Sequence, residues 1–305
     1  MGVTHLTDGG PGETEGVPRA WSDAWSEALY GPGGFFVRER PLDHFRTSVA
    51  NPVFALAVRE LADRVDRALD RPDPFDVVDV GAGGGELLVA FRDVPARWRL
   101  HAVDVKANGD GFAEIPVLTG LLIANEWLDS IPLDVVVDGR LVEVSRSGEE
   151  SLGPPSTSAW PARWWACGDR VEDGSTRDAA WCHAVSRVRR GLAVAIDYGH
   201  LLGDRRTTLT GYRAGRQVPP VPDGACDLTA HVALDACAAA TDARLLTQRQ
   251  ALLSLGVTAA LPTPGPGYAA RLQHASQAAE LLDPAGLGNF GWLVQAVDVP
   301  ADLVG

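Results

Sequence analysis

The chain has 305 residues, 46% of them hydrophobic and 22% charged, the profile of a globular protein with one large domain or two ordinary ones. Lys and Arg total 27 against 40 Asp and Glu, and the formal net charge of −13 excludes broad nucleic-acid binding by counterion release. Only one basic residue is a lysine, Lys106, so cation chemistry falls almost wholly to arginine.

None of the four cysteines, Cys167, Cys182, Cys226 and Cys237, lies in a CxxC pair, and the histidines fit no metal template. Reduced, partly buried thiols and no bound metal are expected. The N-terminal segment lacks a basic stretch followed by an apolar core, and no run approaches the ~20 apolar residues needed to span a bilayer. These features predict a cytoplasmic protein with no membrane contact.

In chain order, residues 1–18 are polar and Gly-rich and predict a disordered tail. Residues 19–30 put Trp21, Trp25, Ala28 and Leu29 on one helical face, broken by Gly and Pro at 30–34. Residues 51–70 predict an amphipathic helix carrying Phe54, Ala57, Val58, Leu61, Val65 and Leu69. Residues 75–80 predict a buried strand, followed by a glycine turn and a helix from Glu86 onward. Further strands are expected at 98–105 and 120–132. This succession opens a doubly wound parallel sheet, a Rossmann-like α/β fold. A hairpin at 133–148 turns at Asp138-Gly139, and 149–162 is a surface loop. A helix at 175–190 precedes a buried strand at 191–199. Residues 203–229 are turn-rich and polar and predict an active-site flap. A helix near 229–240, a strand near 243–248, a helix near 267–282 and a strand near 289–298 complete the chain. The organisation is thus an N-terminal helical segment (19–74) and a core (75–305) with an inserted hairpin and flap (133–165, 203–229).

The strongest motif is Asp79-x-Gly81-x-Gly83-x-Gly85. A dinucleotide fingerprint requires glycine at position 86, where this chain has Glu86, so a nicotinamide oxidoreductase is disfavoured. The spacing resembles the S-adenosylmethionine site of class I methyltransferases. That cofactor has an ammonium group and a ribose diol for carboxylates to receive, and Asp104 ends the next strand where a ribose acceptor would sit. A bare strand-to-helix turn is the alternative. Asn125, Glu126 and Asp129 leave a buried strand at the edge where open α/β sheets bind ligands. They suit a cationic substrate or a proton to be removed, or else cap a helix. Asp197 and Tyr198 end another strand, as site residues or turn caps. His231 faces the same choice, with Asp227 or Thr229 as a plausible N-cap for the helix that follows. Cys226 has no adjacent base, and the nine tryptophans indicate packing rather than a ligand cage.

Taken together, seven ordered segments resemble the MidA-like methyltransferase family, whose mitochondrial members are complex I assembly factor arginine methyltransferases. They are LYGPGGFF (29–36), HFRTSV (44–49), DVGAGGGEL (79–87), ANEWLDSIP (124–132), AIDYG (195–199), TLTGYRAGR (208–216) and CDLTAHV (226–232). The resemblance implies a class I methyltransferase core with an added helical or loop portion. It also implies S-adenosylmethionine as cofactor, its methionine end held by Asp79, Gly81, Gly83 and Gly85 and its ribose by Asp104. Thr47 and Ser48 match a segment that closes over the cofactor, and Asn125, Glu126 and Asp129 match a motif beside the transferable methyl. Departures are Asp79 and Asp104 where the family usually has Glu, and Ala82 where it usually has Pro. The expected activity is protein-arginine methylation, with Glu126 and Asp129 clamping the guanidinium and Asp197 or His231 receiving a proton. The alternatives are methylation of a small metabolite, or cofactor binding without turnover by an assembly factor. The partner is accordingly a basic, Arg-bearing protein segment or a small-molecule acceptor.

Overall fold

The computed structural model describes residues 17–39, 48–104, 113–165 and 168–305; most of the expected tail, Thr47, Lys106 and Cys167 lie outside the described residues. Helix α1 (Trp21–Tyr30) buries Trp21, Trp25, Ala28 and Leu29, the face that the spacing predicts. Helix α2 (Pro52–Ala68) begins at Asn51, whose side chain accepts from the Val53 amide, with Pro52 in the first turn. Every residue of strand β1 (Phe75–Val80) is buried, as a central parallel strand covered on both faces requires. Strands β2 (Trp98–Val103) and β3 (Leu118–Asn125) follow.

The hairpin of β4 (Asp134–Val137) and β5 (Arg140–Val144) turns at Asp138 and Gly139, whose φ values of 50° and 72° suit a two-residue turn. Strand β6 (Glu150–Pro155) pairs with β5, and β7 (Arg170–Asp173) with β4. Helix α3 (Ser175–Ser186) leads into β8 (Val188–Asp197). Strands β9 (Thr210–Arg213), β10 (Arg216–Val218) and β11 (Asp227–Thr229) form a three-stranded antiparallel sheet. Helix α4 (Leu234–Thr241), strand β12 (Arg244–Thr247), helices α5 (Gln248–Ser254) and α6 (Tyr268–Leu282) and strand β13 (Gly291–Val297) complete the fold.

The main sheet is six-stranded, in the order β12-β13-β8-β3-β1-β2. Strands β2, β1, β3 and β8 pair in parallel, and β13 runs antiparallel to both of its neighbours. Strand alternation sends Val77, Leu121, Ile123, Leu192 and Val194 to one face, against Phe54, Leu61, Leu252 and Leu281. Val78, Leu122, Ala193 and Ala195 go to the other, against Trp181, Leu234 and Cys237. The sheet is doubly wound, with β1 at the point where the strand order reverses. The carboxyl ends of β1, β2, β3 and β8 therefore meet at one edge, the crevice where such sheets bind ligands. Helix α1 packs against the β4–β5 hairpin and β11 instead of against the main sheet. No helix among the described residues is long and apolar enough to cross a membrane.

Helix α5 is not expected from the sequence, and three further segments depart from expectation. The helix from Glu86 is only a 3-10 turn (Leu87–Phe91), because Pro95 closes the chain within a few residues of the glycines. The predicted loop at 149–162 contains β6 and a short helix (Trp160–Trp164); Pro154 and Pro155 are tolerated because β6 is an edge strand. The predicted flap at 203–229 carries β9, β10 and β11, turned at Ala214 and Gly215 with φ of 51° and 72°.

Candidate active site

At the carboxyl end of β1, Gly81, Gly83 and Gly85 have φ values of 74°, 54° and 80°, a region that side chains disfavour. The Gly81 amide donates to the Val103 carbonyl at 2.8 Å, and the Gly83 amide donates to the Asp104 carboxylate, tying the loop to the end of β2. A Cβ on Gly81 would sit 3.1 Å from Trp127, whereas one on Gly85 would face open space. The loop is thus a backbone-lined cradle floored by Trp127.

Asp79, 3% exposed, lies beneath this cradle. Burial, with the charges of Asp104 and Glu86, pushes its carboxyl up to about 8, and no cation among the described residues offsets them. Asp76, three residues earlier on β1, has the opposite setting. Burial alone would raise it, but hydrogen bonds from Arg99 at 2.8 Å, His101 at 3.0 Å and the Thr119 amide hold it below the usual carboxylate range. Asp79 is therefore a carboxylate lacking a counter-ion among the described residues.

At the end of β3, Glu126 has a φ of 51°, and its amide donates to Ile196 O at 2.8 Å. Its Oε1 accepts from the Ser48 amide at 3.1 Å and from Asn125 Nδ2 at 3.0 Å. Burial nevertheless raises its carboxyl to about 7, with the Asp129 charge adding to the rise. Ser48, itself fully buried, is held by Gln248 Nε2 at 3.4 Å, so the segment ahead of α2 reaches the strand-end motif. The Asn125 Oδ1 and Trp127 Nε1 atoms are buried without a hydrogen-bond partner. Asp129 is a held carboxylate: Oδ2 accepts from the Tyr198 hydroxyl and from Thr229 Oγ1 at 2.8 Å, and Oδ1 accepts from Ser130 Oγ at 3.2 Å.

Asp197, considered as a proton acceptor, is occupied otherwise. Its Oδ2 accepts from the Leu128 and Asp129 amides at 2.9 and 3.1 Å, and its Oδ1 from the Tyr198 amide at 3.0 Å. It holds the turn that presents Glu126 and Asp129. His231 stacks edge-on against Tyr198 at 5.3 Å; its Nδ1 has no partner, and burial and Arg206 lower its pKa, keeping the ring neutral near pH 7. Helix α4 begins at Leu234 with Ala233 as its N-cap, so neither Asp227 nor Thr229 is a cap; both lie on β11. Thr47 lies outside the described residues.

Sequence reasoning missed Arg177. This buried residue of α3 spends its guanidinium on four carbonyls: Ile131 at 3.1 Å, Ala230 at 2.8 Å, His231 at 3.0 Å and Asp129 at 2.5 Å. It pins the strand-end turn to the segment after β11, and nothing in its local sequence marks that role. Tyr30, the last residue of α1, donates to Ser130 O at 2.8 Å.

S-adenosylmethionine fits this donor set. Its ammonium group matches the buried, uncompensated Asp79, the orphaned Asn125 Oδ1 is placed for a donor, and the open face of Gly83 and Gly85 admits a ligand against the backbone. Residues 93–250 match the model of a family described as "putative S-adenosyl-L-methionine-dependent methyltransferase". No curated protein matches the chain. Two solved structures from Burkholderia thailandensis share the fold. One, a COG1565 superfamily member bound to S-adenosyl-homocysteine, has a TM-score of 0.72 and 24% identity over 93% of this chain and 89% of its own. The other, an uncharacterized COG1565 superfamily protein, has a TM-score of 0.70 and 22% identity over 93% of this chain and 88% of its own. With more than half of its residues matched, the chain belongs to the MidA-like family of S-adenosyl-L-methionine-dependent methyltransferases.

Proposed function

We propose that the chain is a protein-arginine N-methyltransferase acting on a basic segment of a cytoplasmic partner. The observation that carries this reading is the set of carboxyl groups at the ends of β1, β3 and β8, packed together with no salt-bridged cation among the described residues. Arg177, the guanidinium nearest them, is spent on carbonyls. Burial raises the pKa of these carboxyls, and an incoming cation favours their ionised forms.

Bound S-adenosylmethionine supplies a sulfonium methyl group for in-line displacement. The chain's own part is to position and desolvate the acceptor. Glu126 and Asp129 orient the guanidinium, Asp197 keeps their turn rigid, and the neutral His231 ring takes the proton lost on methylation. Ser48, bonded to Glu126, links the N-terminal segment to the same motif. The test is transfer of radiolabelled methyl groups to proteins of a host lysate. Label should enter protein at arginine, and Glu126→Gln should lower the rate by about 100-fold. Label confined to the low-molecular-weight fraction, or cofactor binding with no transfer at all, contradicts the reading.

A further inference from the structure

Strand β11 carries a carboxylate that the roles above leave unused. Asp227 and Thr229 share one face of the strand, two residues apart, while Leu228 between them enters the core beside Trp25. Thr229 donates to Asp129, so Asp227 lies about 7 Å further along the same face of the crevice. It is 7% exposed, and its Oδ1 is buried with no hydrogen-bond partner among the described residues. Tyr30 packs in the same cluster as Leu228, and its hydroxyl pKa is raised by burial and by the charges of Asp227, Asp129 and Asp104. Two guanidinium groups at this end of the crevice are already engaged, Arg177 by its four carbonyls and Arg38 by Gly224 O. Asp129, with three hydroxyl donors already on its oxygens, keeps one acceptor site on Oδ1, so the other donors of a guanidinium need a further carboxylate.

We propose that Asp227 is a further acceptor-binding residue, taking the cationic group of the methyl acceptor on the β11 side of the crevice. The inference rests on the arginine reading above and adds to it a specificity-determining carboxylate. A guanidinium supplies the donors that the orphaned oxygen lacks, and a neutral acceptor of the same shape leaves a buried carboxyl unpaired. Burial and the Asp129 charge hold Asp227 well above the usual carboxylate range, and a cation beside it favours the ionised form. The groups facing it are Asp129 and Tyr30.

The experiment is calorimetric titration of N-acetyl-arginine amide, and of its neutral isostere N-acetyl-citrulline amide, into full-length protein saturated with S-adenosyl-homocysteine. Wild type should prefer the arginine compound by about tenfold or more. Asp227→Asn should abolish the preference while binding S-adenosyl-homocysteine within about twofold of wild type. Asp227→Ser is read in the same way if the Asn variant does not fold. A variant that keeps the wild-type preference overturns the role of Asp227 and leaves the arginine reading standing. A wild type that treats the two compounds alike overturns both. A variant that also loses S-adenosyl-homocysteine shows that Asp227 serves the cofactor side or the fold, and overturns the proposal.

Discussion

Two aspartates three residues apart on β1 show how environment assigns different work to one side chain. Asp76 is paired with Arg99 and His101 and belongs to the scaffold, whereas Asp79 is buried beside Asp104 and Glu86 with no cation among the described residues. The folded carboxyl of Asp79 titrates at about 8, above its unfolded value of about 4. The folded state therefore keeps a proton that the unfolded state has lost, and stability falls as pH rises from about 4 to about 8. Glu126, at about 7, adds to the fall over the lower part of that window. Urea unfolding of the ligand-free protein should show this decline, and Asp79→Asn should flatten it while weakening S-adenosylmethionine binding by about tenfold or more. A variant with an unchanged pH dependence contradicts the account of Asp79. The motif around Asp79 was legible in the sequence because its glycines carry backbone information at adjacent positions. The isolation of Asp79 was not, since it depends on which charges the fold leaves out.

At the level of elements, the strand-end turn after β3 is held from behind by Asp197 and from the side by Arg177. Replacing Arg177 with Leu leaves four carbonyls without their donor, and unfolding in urea should register a loss of about 3 kcal/mol or more. A loss under about 1 kcal/mol contradicts the pinning role. The buried strands β1, β3 and β8 and the helices α1, α2 and α6 were legible because long apolar runs and helical spacing are local signals. Elements built on non-local pairing were less so. β6 contains Gly153, Pro154 and Pro155 and pairs only as an edge, and β9 to β11 are polar strands stabilised by one another. Helix α5 was missed although its capping box, Thr247 with Gln250, stands in the sequence. Of the site, Glu126 and Asp129 were legible as strand-end residues. Asp197 was legible as a position only, because its engagement by three amides depends on the turn it faces.

Across the whole molecule, the doubly wound sheet brings acidic strand ends to one edge of a chain whose net charge is −13. Such a field draws basic segments toward the crevice and is screened beyond a Debye length of about 8 Å at physiological salt. The association rate of an arginine-rich acceptor peptide, followed by stopped-flow fluorescence, should fall by about tenfold between 10 and 150 mM salt, both about the usual working limits. A rate indifferent to salt contradicts electrostatic recruitment. The account as a whole rests on the glycine cradle as the cofactor site, and calorimetric titration of S-adenosylmethionine into wild type and Gly83→Arg tests it most directly. A Cβ at Gly83 meets only Glu86, at 3.6 Å, so the added side chain enters the cradle without displacing the core. Binding to wild type that the substitution abolishes is the predicted result. Wild type that is well folded yet fails to bind, or a variant that binds equally well, contradicts it.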